Sequence, residues 1–216
     1  MISYCTTVYN EQEYIKVLLN KLTKILTADE EIIVIQTYRD INEQNENFYV
    51  EIKNIIHSYK NIIYNTYHFK DDFANLKNYM NSFATKSYIF NLDADEDYPE
   101  NAFPMLRSLV SNNPQYDLFN LARINIVEDL TLSDIKKYGW FVNGDGWVNW
   151  PDFQSRLYKN NGNIKWRGVV HENLSGATNI ANIQPDPSTA ILHYKHIDRQ
   201  RIQNNLYDKI LQEHKK

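Results

Sequence analysis

Two rhythms of apolar positions alternate along the chain. Ile2 to Val8 form a short run of strand type, and Tyr14, Ile15, Leu18, Leu19, Leu22, Ile25 and Leu26 then recur at helical spacing on one face. Asn10 stands where a helix N-cap belongs, and Glu13, three residues on, completes the pattern of a capping box. Residues 31–36, EIIVIQ, are a continuous apolar run, as expected of a strand buried on both faces. Phe48, Tyr49, Ile52, Ile55, Ile56 and Tyr59 predict a second helix, and residues 61–67 a strand. A third helix is predicted over about 72–84 with Phe73, Leu76, Met80 and Phe83 inward, then a strand over 87–92 (SYIFNL). Ala102, Phe103, Leu106, Leu109 and Val110 line the helix after it.

Strands and helices in strict alternation predict an α/β fold, a mostly parallel sheet flanked by helices. Such sheets bind ligands beyond the carboxyl ends of their strands, which directs attention to residues 9–11, 36–40, 67–72 and 93–97. Past Gln115 the rhythm changes. Strand-like pieces at 117–126, 155–159, 164–167 and 189–194 are separated by a short helix at 132–138 and a stretch rich in Trp and Gly up to Gly168. A polar helix over 198–213 follows. This half reads as strands and loops that complete the sheet and build an acceptor site.

Composition narrows the function. The 216 residues carry a formal net charge of −4 with a pI near 5.9, which argues against nucleic acid as a partner. No apolar run approaches the roughly 20 residues that span a bilayer, so no transmembrane segment is expected. One cysteine, Cys5, leaves no internal disulfide and fits a reducing compartment. The expected location is cytoplasmic, or the host cytoplasm for a viral source, the heavy use of Asn, Ile and Lys matching an AT-rich genome.

The sharpest local feature is NLDADEDYPE, residues 91–100, where Asp93, Asp95, Glu96 and Asp97 crowd the carboxyl end of an apolar strand. Such acids repel one another unless a cation or a hydrogen-bonding partner offsets them. Hard oxygen ligands suit Mg²⁺ or Mn²⁺, which keep waters and bridge to substrate phosphates. The plainer alternative is an acidic turn favoured at a helix N-terminus. An EF-hand is excluded, because the positions that need Gly and Glu hold Tyr98 and Pro104.

ISYCTTVYNEQEYI, then DFANLKNYMNSFATKSYIFNLDADEDYPENAF, then RLYKNNGNIKWRGVVHENL and ILHYKH resemble, in order and spacing, the segments of glycosyltransferase family 2, nucleotide-diphospho-sugar transferases of the GT-A fold. The resemblance runs from Ile2 to about His196. It implies one GT-A domain, with residues 1–114 as the nucleotide-sugar half and 115–216 as the acceptor-side half. It further implies that Thr7, Tyr9 and Glu11 border the nucleoside, and that Asp93, Ala94 and Asp95 form the aspartate-any-aspartate motif. There Asp93 would hold the ribose or a metal-bound water, and Asp95 the cation between the phosphates. Lys77 stands where the family often has Arg, facing the diphosphate, unless it is a solvated helix lysine. The second strand departs from the family, ending in IQTYRD rather than Asp-Asp-Gly-Ser. Gln36, Thr37 or Asp40 would then take the place of the uracil-reading Asp.

Sugar transfer needs a stabilised diphosphate and a base near the acceptor hydroxyl. Glu172, beside His171, is the first candidate for that base and Asp152 the second, with Asp145 behind them; ion pairing and turn formation are the plain readings of the first two. The family's late histidine makes His193 the third metal ligand beside Asp93 and Asp95, with His171 its competitor. Arg156 would contact the diphosphate or form a structural salt bridge. Trp140, Trp147, Trp150 and Trp166 offer an acceptor platform, Trp147 and Trp150 first, or buried structural rings. The expected activity is metal-dependent, inverting transfer of a hexose from a nucleotide sugar, a UDP-sugar first, to a glycan or other hydroxyl acceptor. A non-catalytic nucleotide- or glycan-binding module of a longer polypeptide, and a sugar nucleotidylyltransferase, are the alternatives. The latter lacks its Gly-rich loop here.

Overall fold

The computed structural model describes residues 1–213. Four parallel strands form one side of the sheet: β1 (Ile2–Val8), β2 (Glu31–Tyr38), β3 (Ile62–His68) and β4 (Tyr88–Asn91), in the order β3-β2-β1-β4. The helices α1 (Gln12–Ile25), α2 (Asn47–His57), α3 (Phe73–Asn81) and α4 (Phe103–Asn112) connect or follow them. The sheet continues through β7 (Trp147–Lys159), β6 (Leu118–Glu128), β11 (Ile191–His196) and β5 (Glu96–Asp97), with β10 (Ile180–Asn182) also pairing to β6. A short hairpin of β8 (Lys165–Arg167) and β9 (Asn173–Ser175) lies outside it. Between β6 and β7 stands α5 (Leu132–Tyr138), and the last element is α6 (Ile197–Glu213). The fold is α/β with a mostly parallel central sheet, as the alternation of periods predicts.

Each central strand sends alternate residues into two cores. Tyr4, Ile32 and Val34 pack with α1, α2 and α4 through Ile15, Leu19, Ile52 and Leu106. Cys5, Ile33 and Ile35 pack on the other face with Leu76 and Met80 of α3 and with Trp166 of β8. Every side chain from Ile32 to Thr37 is therefore buried, and no polar face betrays the strand's orientation.

The first helix departs from expectation at its start. Asn10 forms no capping box; α1 begins at Gln12, and Glu11 turns its carboxylate back to accept from the backbone N–H groups of Tyr9 and Asn10 at 2.9 and 3.1 Å. The Asp72 cap of α3 and the Thr131–Asp134 capping box of α5 form as such motifs should. Among the described residues no helix is long and apolar enough to cross a membrane.

Beneath the α1–α4 face, the fully buried Glu30 carboxylate receives Arg107 at 2.8 and 3.0 Å and the Tyr4 hydroxyl at 3.0 Å. Burial pushes Glu30 up, but Arg107 and Thr27, with Tyr4, outweigh it and hold the carboxyl below its ordinary value of 4.5. Arg107→Ala should lower unfolding free energy by about 3–5 kcal/mol at neutral pH, because it strands a buried charge. The folded value lies below the unfolded one, so the pair's stabilisation is present above about 4.5 and lost as pH falls through the folded value. Urea denaturation of both proteins across that acid range should show the gap closing.

Candidate functional site

The carboxyl ends of β1, β2 and β4 open into a cavity of about 850 Å³, within the usual range for small-molecule sites. Residues 7–11 at and just after the end of β1, Thr37 and Arg39 at the end of β2, and Asp93, Ala94 and Asp95 after β4 line it. Arg123 of β6, Arg156 of β7, His193 and Lys195 of β11 and Arg199 of α6 close one side, and His171 to Asn173 another.

The acids after β4 are each matched by a cation from a different element. Arg156, almost fully buried, donates to Asp93 Oδ2 at 2.9 Å and also to Glu96. Arg123 donates to Glu96 at 2.9 Å, Lys21 of α1 pairs with Asp97, and Lys77 of α3 lies 3.6 Å from Asp93. Burial alone would raise the Asp93 carboxyl; Arg156 and Lys77 hold it well below the usual carboxylate range.

Asp95 faces a different partner. Strand β5 pairs antiparallel with β11, setting Glu96 opposite His193, and this brings His193 Nε2 to 3.7 Å from Asp95 Oδ2. Arg199 Nη1 stands 3.3 Å from the same oxygen and its Nη2 2.9 Å from Glu11 Oε1. Burial raises Asp95, but His193 and then Arg199 leave its carboxyl below the ordinary value. A carboxylate and an imidazole nitrogen facing one another are a donor set that suits Mn²⁺ or Mg²⁺. Among the described residues no group of three or more His, Cys, Asp or Glu side chains gathers to hold an ion. Asp95 and His193 are the groups here that would hold such a cation, whereas Asp93 is engaged by Arg156 and Lys77.

Gly168, at φ +99°, turns the chain after β8 so that residues 171–173 return to the cavity wall. There Glu172 meets Lys77 Nζ at 2.8 Å, so one ammonium lies between Glu172 and Asp93 and 4.5 Å above the Trp166 ring. Lys77 is thus buried and triply engaged, which sets aside its reading as a solvated helix lysine. Tyr207 of α6 packs against both His171 and Phe73, and burial, with Glu172 nearby, pushes its hydroxyl up to about 12.

Other expected residues divide between the cavity and the scaffold. Thr7, Tyr9 and Glu11 line the cavity, with Tyr9 held by Glu43 at 3.1 Å and by an edge contact to Phe48. Gln36 does not line it: its side chain turns into the core beneath α2, donating to the Tyr49 carbonyl at 2.8 Å and accepting from the Tyr64 hydroxyl at 2.7 Å. The next residue, Thr37, takes the cavity side, together with Arg39, which lies over Phe69 and pairs with Asp71 at 2.8 Å. Asp152 also lies off the cavity, its carboxylate occupied by Arg123, Asn125 and Gln154 at 2.8–3.0 Å. Asp145 sits in an exposed turn. Among the tryptophans Trp166 reaches the cavity, whereas Trp147 and Trp150 pack edge to face against each other away from it.

Arg123, Lys195 and Arg199 are cavity residues that the sequence reading passes over. Lys195 was within reach, since it lies two residues beyond His193 and so on the same face of β11. Its ammonium, which burial pushes down, has Gln200 and Gln203 as partners at 3.0 and 2.8 Å. Arg199 sits on a helix whose polar composition carries no signal of a site.

The family described as Glycosyl transferase family 2 matches residues 3–174. No curated protein matches the sequence. The crystal structure of S. aureus TarS 1-349 has this fold, with a TM-score of 0.57 at 12% identity over 89% of this chain and 60% of that one. TarS 1-349 in complex with UDP-GlcNAc gives a TM-score of 0.58 at 13% identity over 90% of this chain and 58% of that one. The longer TarS structure is matched over 36% of its length. The chain thus spans about 60% of the TarS 1-349 fragment.

The buried Arg156 is the test of this geometry. Arg156→Met should lower unfolding free energy by about 3–5 kcal/mol, toward the lower end because Arg123 still reaches Glu96. Guanidinium denaturation measures it, and a loss below about 1 kcal/mol, the size of an exposed pair, would contradict the pairing described.

Proposed function

The chain belongs to glycosyl transferase family 2, and on that footing we propose that it transfers a sugar from a nucleoside diphosphate donor, a UDP-sugar first, to an acceptor hydroxyl with inversion at the anomeric carbon. The observation that carries this reading is the set of Asp95 and His193 on one wall of the cavity and the Lys77–Glu172 pair on another, all beyond the carboxyl ends of the parallel strands. The complexes of TarS with UDP-GlcNAc and with UDP support the choice of donor class.

In this reading Thr7, Tyr9, Glu11, Thr37 and Arg39 border the nucleoside, and Lys77 neutralises charge on the diphosphate. When bound, a divalent cation held by Asp95 and His193 supplies neutralisation of the leaving diphosphate. Glu172 takes the proton of the acceptor hydroxyl as its oxygen forms the new bond to the anomeric carbon and the bond from that carbon to the diphosphate oxygen breaks. Asp152, held by Arg123, Asn125 and Gln154, has no role in that proton transfer. The acceptor, a glycan or another hydroxyl compound, approaches from the side built by residues 115–216. The proposed location is the cytoplasm.

Calorimetric titration of UDP, UDP-sugars and GDP-mannose, with and without Mn²⁺, tests the donor site. One nucleotide sugar should bind in a metal-dependent way, and Asp95→Ala should abolish the metal dependence; absence of binding by every nucleotide would sink the reading. Glu172→Gln should lower the transfer rate by about 10²–10⁴-fold while donor affinity changes little. Equal losses of rate and donor affinity would instead make Glu172 a donor ligand.

A further inference from the structure

We propose that Asn125 is the positioning residue for His193: held by Asp152, it fixes the proton of His193 on Nδ1 and leaves a bare Nε2 lone pair facing Asp95. The proposal rests on the reading of Asp95 and His193 as a cation site and adds what sets the state of the histidine.

Strands β11 and β6 run parallel with His193 in register with Asn125, and His193 Nδ1 lies 2.9 Å from Asn125 Oδ1. Taken alone, such a contact does not say which atom donates. An amide has a donor end and an acceptor end that look alike, and a neutral imidazole has one donor and one acceptor nitrogen. The neighbours decide. Asn125 Nδ2 lies 2.8 Å from Asp152 Oδ2 and points toward the Val148 carbonyl at 3.4 Å. Both are acceptors. The other groups on the Asp152 carboxylate are the Arg123 guanidinium and the Gln154 amide N–H, so its oxygens serve as acceptors. A flipped amide would set Oδ1 against a carboxylate and a carbonyl. The amide end toward Asp152 is therefore the donor, and the end toward His193 is the carbonyl oxygen.

The rest follows from proton counting. A carbonyl oxygen requires N–H at Nδ1; in the neutral ring Nε2 then carries a lone pair. In the neutral ring that lone pair faces Asp95 Oδ2 at 3.7 Å, with Arg199 Nη1 3.3 Å from the same oxygen; a cation held by the imidazole and the carboxylate would take the place of the Nε2–H through which the charged ring lowers Asp95. The chain Arg123–Asp152–Asn125–His193 thus runs from a structural ion pair to the proposed ligand. It gives Asp152 a task other than that of a base.

Long-range ¹⁵N–¹H correlation spectra of the full chain, labelled at histidine and free of metal, read the tautomer directly, with His193→Ala supplying the assignment. The expected state at mildly alkaline pH is Nδ1–H with bare Nε2, and Asn125→Leu should convert it to a mixture of tautomers. Wild-type His193 found as the Nε2–H tautomer, or unchanged in Asn125→Leu, overturns the proposal; the first of these needs no variant to fold. Mn²⁺ titration followed by electron paramagnetic resonance is the second readout, where Asn125→Leu should weaken binding about 10–100-fold. If Mn²⁺ fails to bind the wild type while the tautomer behaves as stated, the positioning role stands and the cation reading falls.

Discussion

Four carboxylates within five residues, Asp93, Asp95, Glu96 and Asp97, cannot share the end of one strand without countercharge, and the rest of the site is arranged around supplying it. The counter-ions come from α1, α3, β6, β7 and α6, so the cluster ties together elements distant in sequence. Strand β7 has a particular part in this. Running antiparallel between β4 and β6, it carries the buried Arg156 to Asp93 and Glu96. Buried pairs of this kind are weak sources of stability compared with apolar packing, yet breaking one leaves an expensive orphan charge.

Much of this was legible in the sequence. The apolar faces of α1 and α4, the run of β2 and the acid-rich end of β4 stand at or near their expected positions. Thr7, Tyr9, Glu11, Asp93, Asp95, Lys77, Arg156, Glu172 and His193 meet at one cavity. Gln36 shows where legibility ends. A strand that alternates polar and apolar residues announces its orientation, but β2 is buried on both faces, so its sequence carries no parity. Whether Gln36 or Thr37 faces the ligand depends on which core the even-numbered residues enter, and that is set by the packing of Ile32 and Val34 with α1 and α2.

Other features left no local trace. Strand β5 is two residues long and exists because β11 pairs with it; neither its length nor its composition could mark it. β7 begins at Trp147, eight residues before its expected start at Ser155, because its first half pairs with the far end of β6, a partnership invisible to periodicity within either segment. For the same reason Trp147 and Trp150 fall far along that ribbon, while Trp166, in a three-residue strand hydrogen-bonded to Asn78 of α3, reaches the cavity.

The placement of β11 constrains how the gene can drift. His193 and Lys195 face the cavity while Tyr194 is turned to solvent, and the segment before the strand, residues 184–188, is exposed. Insertion of a codon in that segment would be absorbed by a surface loop. The same insertion a few codons later, within the strand, would move it by one position, deliver Leu192 where the imidazole stood and turn the imidazole to solvent. Tolerance to length change should therefore drop from high to none across the boundary between Ser188 and Ile191.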